Sequence, residues 1–251
     1  MRAQGTVIRN RETEIMRLIT TLMAAGLIAG ASSVSALALD KVSFGTNWLA
    51  EAEHGGFYQA VVDGTYEKYG LDVTIVQGGP QAANEALLIA GKIDFYMGGT
   101  LGVLDAVKNG IPVMNVAAIF QKDPQIFMVH PDAGVETFAD MAKLGTIFMG
   151  KDIFVTDFQW MKQQFPGFRD EQYKPYTFNP APFIADKNSA QQGYLTSEPF
   201  AVKQAAGWEP KVFLIADQGY DPYSTTIETK SELVEKNPDL VTRFLKGWFA
   251  T

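Results

Sequence analysis

Short apolar runs alternate with longer amphipathic stretches along this chain, and this alternation is the feature that most constrains its fold. Residues 72–77 and 93–97 are predicted strands, and a glycine follows each of them. Residues 54–69 carry apolar side chains at roughly helical spacing, and Thr100 can cap a helix that runs to Asn109. Strands that alternate with helices in this way predict a mostly parallel sheet flanked by helices, so the predicted fold class is α/β.

The predicted elements fall into two groups, which indicates two α/β lobes. The segments 120–124 and 217–222 are rich in Asp, Pro, Gln and Gly, and we interpret them as two crossovers between the lobes. The first lobe would hold residues 39–121 and the return segment 217–251, and the second would hold 122–216. The last predicted helix has no capping signal at its end, so we expect the sequence to lack a C-terminal part of the protein.

The beginning of the chain has the pattern of a secretory signal. Four arginines precede an uncharged, mostly apolar run at residues 18–30, and small residues follow up to Ala38. The run is shorter than the roughly 20 residues that a membrane span requires. We therefore predict a signal peptide at residues 1–38, cleaved after Ala38, and a periplasmic location. Translation starts at Met1 or, with a more usual signal length, at Met16.

Composition excludes several classes of function. The chain has no cysteine, which rules out disulfides, thiolate nucleophiles, cysteine metal sites and a lipid-anchored cysteine. Without the leader, 17 basic and 26 acidic residues give a net charge of −9, so the surface would repel nucleic acid. After the leader, no segment is long and apolar enough to span a bilayer.

Motifs for catalysis, metals and cofactors are missing from the sequence. His54 and His130 are the two histidines, and neither has a carboxylate or a second histidine at metal-ligand spacing. The sequence contains neither a Gly-x-Ser-x-Gly nucleophile turn nor a phosphate-binding Gly-Lys-Ser/Thr loop. The sequence therefore predicts no catalytic residue, no metal and no cofactor.

An ordered series of short motifs carries a family resemblance across most of residues 41–251. The series runs Asn47-Trp48, His54-Gly55-Gly56-Phe57-Tyr58, Gly64-Thr65-Tyr66, Tyr69-Gly70-Leu71-Asp72-Val73-Thr74-Ile75, Gly78-Gly79-Pro80, Gly98-Gly99, Tyr194-Leu195-Thr196-Ser197-Glu198-Pro199 and Asn237-Pro238-Asp239. It resembles the periplasmic binding proteins for nitrate, taurine and alkanesulfonates. The segment from His54 to Tyr58, preceded by Trp48, is most similar to the NMT1/THI5-like branch, which binds pyrimidine precursors of thiamine.

The resemblance implies a fold, a function and a set of partners. The fold would be a type II periplasmic binding protein, a clamshell of two lobes with the ligand in the cleft between them. The protein would act as a monomer and deliver a small molecule to the permease and ATPase of an ABC importer. Fungal relatives that synthesise the pyrimidine carry a cysteine-rich motif, and its absence here argues against that enzyme activity.

Three candidate ligand-binding residues lie at or after the end of the first predicted strand, residues 41–48. Ligands of such sheets bind beyond the carboxyl ends of strands, where Trp48 is placed to stack on a flat heteroaromatic ring. His54 and Tyr58 are four residues apart on one helix face and could hydrogen-bond a ring nitrogen or an amine. Each of the three could instead be an ordinary packing residue.

The next candidates follow later strands of the first lobe. Gly98, Gly99 and Thr100 form a strand-to-helix turn whose free backbone N–H groups could receive a polar ligand atom. The alternative is a tight turn in which Thr100 only caps the helix. Gln121 follows a strand near the first crossover and could reach the cleft or be an exposed hinge residue.

In the second lobe, Glu198 is the leading candidate. It follows the predicted strand 192–196, and its carboxylate would accept from an aminopyrimidine amine and repel a sulfonate or nitrate. The alternative is a charge that only stabilises a helix start. Tyr194, Asn179 and Tyr220 are weaker candidates.

Three functions remain open at this point. The first is a receptor for a small planar nitrogen heterocycle such as a thiamine pyrimidine precursor. The second keeps the fold but takes a sulfonate, nitrate or aromatic carboxylate, for which Lys151 is the candidate cation. The third is a synthase or lyase on the same fold that uses His54 as an acid or base.

Overall fold

The computed structural model describes residues 38–80 and 82–251. Within this range, residues Leu39–Thr251 form one compact unit. The predicted signal peptide lies outside the described residues except for its last residue, Ala38. No helix in the described part of the chain is both long enough and apolar enough to cross a membrane.

The first five-stranded sheet combines an early part of the chain with a late strand. Its spatial order is β2-β1-β3-β10-β4, in which β1 pairs in parallel with β2 and β3. The strand β10 pairs antiparallel with both β3 and β4. The strands are β1 Asp40–Gly45, β2 Leu71–Val76, β3 Phe95–Gly98, β4 Val113–Phe120 and β10 Ser224–Lys230.

The second sheet repeats this arrangement with the middle of the chain. Its order is β7-β6-β8-β5-β9, in which β6 is parallel to β7 and β8. The strand β5 is antiparallel to β8 and β9. The strands are β5 Gln125–Val129, β6 Thr146–Met149, β7 Tyr173–Pro175, β8 Ser189–Tyr194 and β9 Lys211–Leu214.

The predicted α/β class is confirmed, but each sheet is mixed where we expected mostly parallel strands. Two of the four pairings in each sheet are antiparallel. The reason lies in β5 and β10, which each begin where the chain enters a sheet from the other one. Such an entering strand runs away from the junction, whereas its neighbours run towards it, and antiparallel pairing follows.

Helices cover the faces of both sheets. They are α1 Gly55–Val62, α2 Thr65–Lys68, α3 Asn84–Ile89, α4 Thr100–Lys108, α5 Lys151–Val155, α6 Asp157–Gln164, α7 Ala181–Ala185, α8 Glu198–Ala206, α9 Ser231–Lys236 and α10 Pro238–Phe249. Short 3₁₀ turns occur at Ala52–His54, Phe138–Lys143, Asp170–Gln172 and Ala216–Gln218. Each sheet is thus packed between layers of helix, as an α/β fold requires.

The helix predicted over residues 54–69 is divided in the structure. Gly64 adopts a left-handed conformation with φ of 72°, which ends α1 and turns the chain into α2. The Asp63 side chain accepts a hydrogen bond from the Thr65 backbone N–H at 2.9 Å and so supports the start of α2. Periodicity alone did not show this break, because the apolar spacing continues through the turn.

The last helix completes the core of the first sheet. Phe244 on α10 is fully buried, and its ring centroid lies 4.1 Å from that of Phe95 and 5.4 Å from that of Tyr66. The Phe44 and Phe57 rings pack on the same side chain, with centroids at 5.5 and 6.3 Å. The aromatic cluster ties β1, β3, α1 and α2 to the end of the described chain.

Truncation of Phe244 tests this role. We expect Phe244→Ala to lower the free energy of unfolding by about 3–5 kcal/mol, because it leaves a cavity among four aromatic rings. Urea unfolding followed by circular dichroism would measure the change. The matched control is Phe249→Ala on the same helix, where the ring is 67% exposed and the expected loss is below about 1 kcal/mol. Equal losses in the two variants would contradict the prediction.

Candidate functional site

A cleft lies between the two sheets, where β1, β3, β6 and β8 present their carboxyl ends. It has two adjoining parts that share residues. The Trp48 pocket encloses about 400 Å³ and the Tyr220 pocket about 870 Å³, and both volumes include space open to solvent. The shared lining residues are Asn47, Gln125, Asp152, Ile153 and Tyr194. This is the position in which open α/β sheets bind ligands.

The loop that follows β1 is held in place by buried polar contacts. The Thr46 hydroxyl donates to the Trp48 carbonyl oxygen and accepts from the Gly78 backbone N–H, both at 2.8 Å. The Asn84 side-chain amide donates to the Thr46 carbonyl oxygen at 2.9 Å. A side chain at Gly78 would collide with the Thr46 carbonyl oxygen, so the close approach of the two loops requires glycine there. This packing fixes the loop that carries Asn47 and Trp48 to the cleft.

The structure places His54 behind the cleft, although we expected it to bind the ligand directly. The side chain is 1% exposed and does not line either pocket. Its Nδ1 lies 3.2 Å from the Glu51 backbone N, and its Nε2 lies 3.1 Å from Oδ1 of Asn47. Burial lowers the pKa of His54, which favours the neutral ring. Both ring nitrogens are therefore engaged within the loop.

Trp48 lines its pocket and contacts aromatic residues of the loop that follows β7. Its ring centroid is 6.1 Å from that of Tyr176, with the two planes inclined by 22°. Phe178 lies edge-on to the indole at 6.4 Å. The indole thus lines the pocket next to aromatic side chains of the facing side, which suits it to contact a flat ligand.

Carboxylates converge on the Trp48 pocket from both sides. Glu198, at the start of α8, is buried, and its Oε2 accepts a hydrogen bond from the Tyr194 backbone N–H at 2.7 Å. Burial raises the pKa of Glu198 to about 7. Burial also raises the pKa of Glu51, and the nearby charges of Glu198 and Glu53 add to this effect. The pocket therefore favours a positively charged or hydrogen-bond-donating guest.

Glu53 links the two sides of the cleft directly. Its Oε2 accepts hydrogen bonds from the Thr196 hydroxyl at 3.0 Å and the Ser197 hydroxyl at 3.1 Å. A second link joins the Tyr194 hydroxyl to Ser224 Oγ at 3.2 Å. Hydrogen bonds consequently join the two sides of the cleft at two points.

The Tyr220 pocket is also acidic. Glu228 on β10 is 2% exposed, and burial, reinforced by the charge of Glu85, raises its pKa to about 8. A Cβ atom at Gly98 would collide with the Glu228 carboxylate, so the glycine makes room for this side chain. Asp157 is buried nearby, and burial raises its pKa to about 7.

The cleft contains some of the candidate residues and excludes others. The candidates that line it are Trp48, Gly98, Gly99, Thr100, Tyr194, Glu198 and Tyr220. The candidates that do not are His54, Tyr58, Gln121, Lys151 and Asn179. Gln121 and Lys151 are exposed, and the Tyr58 hydroxyl donates to Gln77 at 3.5 Å. Thr100 does not cap α4, because its hydroxyl donates to the Tyr223 carbonyl oxygen at 2.6 Å and Gly99 occupies the N-cap.

Several lining residues were missed by the sequence analysis. Asn47, Glu51 and Glu53 lie beside Trp48, so the rule that selected the tryptophan could also have selected them. Glu228 had no such signal, because it lies inside a strand. Among the residues the structure describes, no group of three or more His, Cys, Asp or Glu side chains is arranged to hold a metal ion.

The fold matches that of type II periplasmic binding proteins. The sulphonate-binding protein SsuA of Escherichia coli superposes with a TM-score of 0.56 at 15% identity, over 83% of this chain and 71% of that one. An ABC uptake transporter substrate-binding protein from Streptococcus pneumoniae, solved with bound histidine, gives a TM-score of 0.58 at 17% identity, over 84% of this chain and 86% of that one.

The sequence assigns the chain to a family within this fold. The pattern of the NMT1/THI5-like family matches residues 51–248, and the chain belongs to that family. A relative from Saccharomyces cerevisiae, a 4-amino-5-hydroxymethyl-2-methylpyrimidine phosphate synthase, is 23% identical over 242 residues. The match covers 84% of this chain and 66% of the length of that relative.

Removal of the Glu228 carboxylate tests the electrostatics of the cleft. A raised pKa in the folded state means that stability falls as pH rises from 4.5 to about 8, because the native carboxyl must lose a proton it holds more tightly than the unfolded chain does. We expect Glu228→Gln to flatten this decline, which has an upper bound of about 1.4 kcal/mol per pH unit. Urea unfolding across this pH range would measure it, with the exposed Glu235→Gln as control. An unchanged pH slope in Glu228→Gln would contradict the prediction.

Proposed function

We propose that this protein is the extracytoplasmic substrate-binding component of an ABC importer and that it captures a small planar heterocycle bearing an amine. The observation that carries the proposal is the cleft itself. Carboxyl groups from both sides, Glu51 and Glu198 among them, line the same pocket as Trp48, whose indole lies 6.1 Å from the Tyr176 ring. Such a site offers acceptors for an amine and a surface for a flat ring.

The charge of the cleft argues against an anionic ligand. Within the described residues, neither pocket is lined by lysine or arginine. Lys151, the candidate cation for a sulfonate or nitrate, is the exposed first residue of α5 and lies outside both lining sets. A negative ligand would lie among carboxyl groups with no cationic side chain to balance its charge, so the anion alternative is disfavoured.

The name of one relative supports a particular chemical class of ligand. The yeast relative is named as a synthase of an aminopyrimidine phosphate. An aminopyrimidine without the phosphate fits an acidic, aromatic cleft better than the phosphate ester does. We therefore assign the ligand as a thiamine pyrimidine precursor in its unphosphorylated form.

The two lobes would supply opposite halves of the contacts. In this proposal the lobes are residues 39–121 with 217–251, and residues 122–216. The two crossover segments lie next to each other and are joined by an ion pair between Lys122 and Asp217 at 2.6 Å. Ligand binding would then select the closed arrangement held by Glu53 at the opposite rim.

A binding role is better supported than catalysis by His54. The yeast relative is named as a synthase, which is the observation in favour of the enzyme alternative. However, His54 is 1% exposed and its two ring nitrogens contact the Glu51 backbone and Asn47, which removes it from contact with a guest in the cleft. The absence of cysteine from the whole sequence also separates this chain from the cysteine-rich pattern of synthases.

Export and partners complete the proposal. A signal peptide cleaved after Ala38 would place the mature protein in the periplasm, as a monomer that docks on a permease and its ATPase. N-terminal sequencing of the protein recovered from the periplasm is expected to begin at Leu39. Recovery from the cytoplasm with residues 1–38 intact would contradict export.

A ligand screen tests the proposed class. We expect aminopyrimidines to raise the thermal unfolding midpoint of the mature protein, and taurine, alkanesulfonates and nitrate to leave it unchanged. At a hundredfold excess over Kd, a ligand that binds only the native state adds about 2.7 kcal/mol of stability, which a thermal-shift assay detects. Stabilisation by the anions alone would overturn the ligand and retain the receptor role.

Substitution of the cleft carboxylate tests the assigned contact. We expect Glu198→Gln to weaken aminopyrimidine binding by about tenfold, because a charge-assisted hydrogen bond to the amine is replaced by a neutral one. Isothermal titration calorimetry would measure Kd. The control is Glu171→Gln, an exposed residue on the same lobe, which is expected to bind as the parent does. Parent-like affinity in Glu198→Gln would remove Glu198 from the contact set.

A further inference from the structure

The two ring nitrogens of His54 have different partners, and these partners determine where its proton lies. Nδ1 lies 3.2 Å from the Glu51 backbone N. A backbone N–H can only donate, so Nδ1 must be the unprotonated acceptor. The ring is buried and neutral, because burial opposes the imidazolium charge. The single proton therefore lies on Nε2.

The His54 tautomer in turn fixes the polarity of the Asn47 amide. Nε2–H donates to the Asn47 side-chain oxygen at 3.1 Å. The NH₂ group of the same amide then points away from His54. Asn47 lines both pockets of the cleft, and its NH₂ group forms no hydrogen bond with the residues the structure describes. A donor is thus presented at the junction of the two pockets.

The opposite side of the cleft contains a second amide with the same arrangement. The Gln192 side-chain oxygen accepts a hydrogen bond from the Gly150 backbone N–H, and the residue is 7% exposed. Gln192 lines the Trp48 pocket, so its NH₂ group is also left for a guest. Elsewhere in that pocket Glu51, Glu53 and Glu198 offer acceptors.

This combination selects a ligand with both donors and acceptors. A simple amine would satisfy the carboxylates and leave the amide NH₂ groups without partners, which costs binding energy. A ring that carries an amine beside a ring nitrogen satisfies both sets. We propose that His54 is a positioning residue that aims the Asn47 NH₂ group into the cleft, where it donates to a ring nitrogen of the ligand. The ligand part of this inference rests on the proposed function.

The tautomer can be tested without a ligand. The sequence contains two histidines, and in the structure His130 bonds through Nε2 to the Phe183 carbonyl oxygen. In a ¹⁵N-detected spectrum of the ligand-free mature protein, His54 is expected to show a protonated Nε2 and a bare Nδ1 at neutral pH. The His54 signals are identified as those that are missing from the spectrum of His54→Gln. A protonated Nδ1 on His54 would overturn the proposal.

Two matched variants separate the two hydrogen bonds of His54. The side-chain amide of Gln extends to the position of Nε2 and can donate an N–H to Asn47. The side-chain amide of Asn extends only to the position of Nδ1, where its oxygen can accept from the Glu51 N–H.

The probes are 4-amino-5-hydroxymethyl-2-methylpyrimidine and its carbocyclic analogue, 2-amino-4-methylbenzyl alcohol, which lacks the ring nitrogens. The measured quantity is the ratio of the two Kd values. A general loss of affinity raises both Kd values by the same factor and leaves this ratio unchanged.

We expect the parent to prefer the pyrimidine by about tenfold. His54→Gln should keep this preference, and His54→Asn and Asn47→Asp should reduce it to within about twofold. A retained preference in His54→Asn, or an equal loss in His54→Gln and His54→Asn at matched unfolding midpoints, would overturn the positioning role while the receptor function stands. If the parent binds neither probe, the proposed ligand is wrong, and the spectrum alone then decides the role of His54.

Discussion

The chain passes between the two sheets twice, and the position of the cleft depends on this double passage. Because β5 and β10 start at the two crossovers, each runs away from the junction and lies antiparallel to its neighbours. The remaining strands must then point their carboxyl ends towards the junction. The exposed ion pair of Lys122 and Asp217 contributes little to this arrangement, since surface pairs are weak. The backbone pairing of the two entering strands determines it.

The buried carboxyl groups of the candidate site lower the stability of the folded protein. Glu198 and Glu228 are buried at the cleft, and their raised pKa values show that their ionised forms are poorly solvated there. The aromatic cluster around Phe244 lies on the same sheet as Glu228 and stabilises it through buried apolar contact. In the proposed function, an amine held between these carboxyl groups would relieve part of this cost by stabilising their ionised forms.

Part of the lining of the candidate site could be predicted from the sequence, and the omissions have identifiable causes. Trp48 and Glu198 were found because they follow strands. His54 follows the same strand, but the loop turns its ring inward against Asn47, and residue spacing does not show that turn. Glu228 escaped because it lies inside an antiparallel strand, and it reaches the pocket through the space left by Gly98.

The sequence by itself determined the α/β class, the two groups of elements, the motifs of the NMT1/THI5-like family and the acidic character of the chain. These properties follow from local periodicity and composition, which each segment carries independently. Only the tertiary structure decided the direction of the entering strands, the concentration of carboxylates in the cleft and the tautomer of His54. These three properties depend on contacts between residues that are far apart in the chain, such as Glu53 with Ser197. Such contacts determine which side chains are buried and which hydrogen-bond partners they have.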